Sequence, residues 1–111
     1  MTPLQFALLW RAEKEHLLSA FLDANSQASI AAIASGLGFS PEQARGVREM
    51  LGLAVTDTMY TLLLGLDGAA SIGGRQESYR LFSEGGDQLS GEGSLEVAAW
   101  EVFHGGSGDN A

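Results

Sequence analysis

Two histidines, His16 and His104, are the only imidazoles in the chain, and they stand near opposite ends of its 111 residues. Neither belongs to a metal-binding pattern such as H-E-x-x-H, in which two rings one helical turn apart share a zinc ion. Cysteine is absent, which removes thiol nucleophiles, thiolate metal sites and a disulfide framework together. Ser71, in "AASIG", lacks the leading glycine of a nucleophile elbow, and "GLGFSP" lacks the third glycine of a dinucleotide-binding loop. Asp57 with Tyr60 or Thr61 has the groups for proton transfer, but spacing alone joins no second titratable partner to them. No catalytic residue, metal or cofactor is assigned, and the expectation is a protein that is not an enzyme.

Three binding arrangements remain. The first is a narrow polar, small-residue stripe, Asp57, Thr58, Thr61 and Gly65, where glycine would let a small ligand approach the backbone closely. The second is "IAAIASGLGFSPEQARGVREML", residues 30–51, two short helical patterns flanking a glycine turn as in a helix-turn-helix regulator. Its "GF" turn also resembles that of ubiquitin-associated domains over a few residues. Arg45 and Arg48 on the would-be recognition helix are cancelled by Glu42 and Glu49, whereas DNA affinity is built on several net phosphate contacts. Charge therefore favours a plain helical hairpin and a chain that does not bind nucleic acid. The third is the segment "LEVAAWEVFH", residues 95–104. Helical spacing puts Glu96, Trp100 and His104 on the side away from its aliphatic stripe, beside Val97 and Glu101. An aromatic anchor with an acidic rim suits a protein interface; the alternative is that Trp100 folds over and completes the core.

Charge sharpens that third reading. Residues 1–56 carry four cations against five carboxylates, a net of −1, while residues 57–111 carry two arginines against nine carboxylates, a net of −7. The negative half repels nucleic acid and anionic lipid and speeds encounter with a basic partner, although acidity also serves solubility. Glu84, Asp87 and Glu92 lie in this half and join Glu96, Trp100, Glu101 and His104 as candidate partner-contacting residues. The N-terminal "MTPLQFALLWRAEKEH" has no basic leader, and its apolar run stops at Arg11, too short for a signal or a membrane span. A cytoplasmic protein with no membrane association is expected.

The elements that must hold these residues read as one domain over 1–104, with a flexible glycine- and serine-rich tail at 105–111. Thr2 and Pro3 open a helix over 3–23, with Phe6, Trp10, Leu17 and Phe21 as its apolar stripe. Asn25 and Ser26 cap a second helix that Gly36 ends. "SPEQ" is a capping box: Ser40 begins a third helix and Gln43 reaches back. Gly46 and Gly52 weaken this helix. It either bends near Gly52 and runs on to Leu66, or stops and restarts with Asp57 as cap; the long kinked version is preferred. Asp67 and Gly68 then form a helix stop. Eleven of the 15 glycines lie at or after Gly65. There "QESYRLFS", "EGG" and "DQLSG" alternate and turn as a β-hairpin, and Ser94 caps the last short helix. The expected fold is α+β: about three helices packed with a C-terminal hairpin and a final helix. A lone hairpin is marginal in water, so a homodimer is one way to cover it.

The order "DTMYTLLLGLDG", "ESYRLF", "GGDQLSG" and "SLEVAAWEVFH" resembles that of small acidic bacterial proteins linked to polymorphic toxin systems. The resemblance covers the second half of the chain and transfers no functional residue. It implies a buried helix leading through a hairpin to a closing helix. It also implies a non-enzymatic immunity or inhibitor role, in which the chain masks a basic toxin.

Overall fold

The computed structural model describes residues 1–105, and the expected tail from 106 onward lies outside that range. Four helices follow in order: α1 (Pro3–Phe21), α2 (Ser29–Leu37), α3 (Pro41–Leu66) and α4 (Ser94–His104). The residues divide into two compact units, one of Met1–Arg11 with the chain from Asp57 onward, the other of Ala12–Thr56.

Local chemistry explains most helix ends. At α1 the Gln5 N–H donates to Thr2 Oγ1 at 3.1 Å and the Thr2 N–H to Gln5 Oε1 at 2.8 Å. Ser40 and Gln43 exchange the same pair of bonds ahead of α3, at 2.9 and 3.1 Å. Both are reciprocal capping boxes, each satisfying two otherwise orphaned donors. Helix α1 stops at Phe21, two residues earlier than the spacing predicts, as the chain turns through Asp23, whose carboxylate accepts the Asn25 N–H at 2.9 Å. The α2 cap is Ala28, with no side-chain bond; Ser26 instead donates its hydroxyl back to the Ala20 carbonyl. Gly38, at φ 63°, terminates α2, so Gly36 lies inside it and the left-handed position falls one glycine later than expected. Helix α3 is a single helix of 26 residues through Gly46 and Gly52.

The first unit is built around Leu63 and Leu95, both fully buried, with Ala7, Ala98, Ala99 and Val102 completing the inner cluster. Alanines at three of these positions leave room for α1, α3 and α4 to pack closely around the two leucines. Phe6 and Trp10 meet edge to face at 6.0 Å against this cluster, the offset geometry aromatic rings prefer. Truncating a leucine so placed costs about 2–5 kcal/mol. The second unit is thinner: its buried hydrophobic residues are Leu18 and Ala31.

The α+β expectation is overturned, because among the described residues there is no sheet and no hairpin. Residues 67–93 form a connection with two isolated antiparallel bridges, Ile72 with Arg75 and Phe82 with Gln88. Alternation in "SYRLF" supplied no face to bury: Arg80, Leu81 and Phe82 are exposed, and a strand pair gains stability only by covering such a face. Two ladder-like backbone bonds remain, from the Leu89 N–H to the Leu81 carbonyl at 2.7 Å and from the Ser83 N–H to the Asp87 carbonyl at 2.8 Å, and Ser90 adds side-chain bonds beside them. Ser90 accepts the Leu81 N–H at 3.1 Å and donates to the Tyr79 carbonyl, while the Tyr79 N–H donates to the Leu66 carbonyl at 2.9 Å.

Candidate functional site

Helix α4 presents two unlike faces. Leu95, Ala98, Ala99 and Val102 are buried, and Phe103 packs against them half-buried. On the other side Val97 is 63% exposed and Trp100 52% exposed, flanked by the exposed Glu96 and Glu101. The indole is therefore not sealed in the core, and the rim carboxylates stand in solvent on either side of it. His104 ends the same face, its ring edge-on to Tyr60 at 4.5 Å.

The start of α1 adjoins this face. Thr2, Pro3 and Leu4 share an open cleft of about 250 Å³ with Val97, Ala98 and Glu101, and Leu4 is exposed there. The Met1 amino group is bonded to the Asp87 carboxylate. The first residues thus bring Asp87 to the same end of the unit as Val97 and Glu101, although Asp87 spends its charge on that contact. Glu84 is exposed in the turn that runs from Ser83 to Asp87, closed by the Ser83 N–H bonding the Asp87 carbonyl at 2.8 Å. Glu92 is exposed just ahead of α4.

What fixes α4 in place is a residue that sequence reasoning assigned only to a helix stop. Asp67, 7% exposed at the end of α3, accepts the Gly91 N–H at 2.6 Å and the Glu92 N–H at 3.1 Å on Oδ1. Its Oδ2 accepts the Glu96 N–H at 2.8 Å. Glu96 is in the first turn of α4, so Asp67 supplies from 29 residues away the capping acceptor expected of Ser94. The residue preceding α4 is Gly93 at φ 93°, and it makes no side-chain cap. Burial on its own would push the Asp67 carboxyl up; the N–H groups of Glu96, Gly91, Gly93 and Glu92 outweigh it and hold the carboxyl below its ordinary value of 3.8. A carboxylate at a helix N-terminus also opposes the positive end of the helix dipole. Gly68, at φ 83°, does occupy the left-handed position expected after α3.

The polar stripe on α3 is divided. Asp57, Thr58 and Thr61 are exposed, whereas Gly65 is buried. A Cβ at Gly65 would lie 2.4 Å from Ile72 Cγ1, so the close approach that glycine permits is taken up by a side chain of the same protein. Among the described residues no group of three or more histidines and carboxylates could hold a metal ion, and no helix is long and apolar enough to cross a membrane.

In the second unit the two arginines of the helix-turn-helix pattern have a setting of their own. Arg45 and Arg48 line a cleft of about 450 Å³ with Ala31, Ala34, Phe39 and Ala44. On the outer sides, Ile33 is 65% and Leu37 62% exposed on α2, and Met50 and Leu53 are exposed on α3.

Comparison with family models, curated proteins and solved structures finds no match for this chain. Nothing among them supports an immunity or toxin-inhibitor role, and the hairpin that the resemblance implied is missing among the described residues.

Proposed function

We propose that this chain is a non-enzymatic protein-binding module that docks a basic protein partner through the outer face of α4. One observation carries the reading: Trp100 is half exposed beside Val97 on a helix whose opposite face is fully committed to the core. Solvent-facing indole and valine side chains bounded by carboxylates form an apolar centre with a polar rim, the anatomy of a binding hot spot. The net −7 of residues 57–111 accelerates encounter with a cationic surface, and the indole then anchors the complex by desolvation.

A photo-crosslinking residue at Val97 tests this directly. The partner captured in cells is purified and its affinity measured against the wild type and Trp100→Ala. Loss of about thirtyfold or more, with added salt slowing association more than it speeds dissociation, supports the reading. A captured partner that binds Trp100→Ala with full affinity overturns it.

A homodimer is the second reading, and it has a different basis from the absent hairpin. Residues 24–41 contain no charged side chain, and within them α2 exposes Ile33 and Leu37. In a chain of net charge −8, this neutral apolar surface is where a second copy meets least repulsion.

A further inference from the structure

The cleft of the second unit combines two features: an apolar floor, and cations that no carboxylate among the described residues pairs. Leu22, Ala31, Ala34 and Phe39 supply the floor and the exposed Ala44 its margin, and the volume of about 450 Å³ falls within the range of small-molecule sites. Arg45 and Arg48, three residues apart on α3, stand at its edge. Neither guanidinium has a carboxylate within salt-bridge distance among the described residues. Their potential partners on the same helix, Glu42 and Glu49, do not line the cleft.

We propose that this cleft binds a small amphiphile with one anionic head and an unbranched apolar body, of which a single-chain fatty carboxylate is the type. The fork geometry of two arginines suits a carboxylate, which accepts parallel N–H bonds from each planar group. A bare anion such as phosphate leaves the alanine and phenylalanine floor unfilled. A neutral apolar molecule leaves both cations without a counter-charge. Nucleic acid fits poorly, because two arginines are too few to neutralise a phosphate backbone in a protein this acidic. The site is independent of the α4 docking face, so either can fail without the other.

The test is a titration of the whole chain with decanoate, followed by amide and methyl chemical shifts, with decanol and acetate as parallel arms. Saturable shifts at Ala31, Ala34 and Ala44, with decanol and acetate each binding at least about tenfold more weakly, are expected. Arg45→Gln with Arg48→Gln lowers decanoate affinity by about tenfold or more. Ala44→Leu, which narrows the cleft at its margin while keeping both guanidiniums, lowers it as well. These three positions are exposed on a helix, and circular dichroism verifies that the fold is kept. Decanol binding as tightly as decanoate, unchanged affinity in the arginine double variant, acetate matching decanoate, or shifts centred on Trp100 or absent would each overturn the proposal.

Discussion

Replacing Asp67 removes the acceptor that joins the end of α3 to the start of α4. In Asp67→Ala the N–H groups of Gly91, Glu92 and Glu96, now at 2.6, 3.1 and 2.8 Å from carboxylate oxygens, lose their partner at a site that is 7% exposed. Hydrogen bonds to a charged group are worth about 1.5–3 kcal/mol each, and a lost helix cap about 1 kcal/mol. These contributions overlap, so the expected loss is about 3–5 kcal/mol, a large share of the 5–15 kcal/mol that holds a typical domain. At about 4 °C per kcal/mol the melting temperature falls by more than about 10 °C. Asp67→Asn keeps one oxygen but turns an NH2 group toward either Gly91 and Glu92 or Glu96, and costs about 2 kcal/mol.

The pH dependence has a definite sign. The folded carboxyl titrates below 3.8, so the stability it contributes is complete above 3.8 and is lost as pH falls through the lower, folded value. Urea unfolding followed by helical circular dichroism, for wild type and both variants between about pH 7 and 2.5, measures this directly. The gap between wild type and Asp67→Asn should narrow in the acid range. A gap that stays constant with pH, or an alanine variant within about 0.5 kcal/mol of wild type, refutes the assignment.

Other outcomes follow from the same structure. Gly68→Ala places a Cβ 2.1 Å from Ser78 Oγ at φ 83° and should cost more than about 2 kcal/mol in urea unfolding, whereas Gly73→Ala, at φ 61° in open space, should cost about 1 kcal/mol. Gly65→Ala should destabilise through its clash with Ile72, and Ile72→Ala in the same chain should recover part of that loss, since the two changes share one space. If the chain self-associates through α2, Ile33→Glu shifts its sedimentation toward the monomer, while Trp100→Ala leaves it unchanged.

Local signals in the sequence were legible and remote ones were not. The Ser40–Gln43 box spans four residues, so its composition nearly dictates its geometry. The buried stripe of α4 follows from helical periodicity once a helix is granted. The hairpin failed because alternation at Tyr79 to Phe82 says which side chains share a side, but not whether anything lies beneath them. The Gly36 stop failed because glycines two apart, Gly36 and Gly38, offer the same left-handed freedom, and helix bonding chose the second. In sequence the neighbour Gly68 makes Asp67 part of a helix stop, and Gly68 does follow the end of α3 in the left-handed conformation. The partners of Asp67 lie 24 to 29 positions on and are all backbone amides, which leave no mark in a sequence. The arginine cleft is illegible for a related reason: in sequence Arg45 and Arg48 stand beside glutamates that cancel them, while the fold sets them beside alanines from α2.

The Asp67 clasp means that residues 68–93 are an excursion that returns to its point of departure, with its two ends stitched together by a single side chain. One bend of this excursion, at Gly85 and Gly86, has no neighbour crowding either glycine. Foreign sequence spliced there lengthens a path whose ends are already closed, which costs only a slowly growing chain entropy. A reporter or graft placed there opens the Ser83–Asp87 turn but lies outside the segment from Gly91 to Glu96 that Asp67 holds.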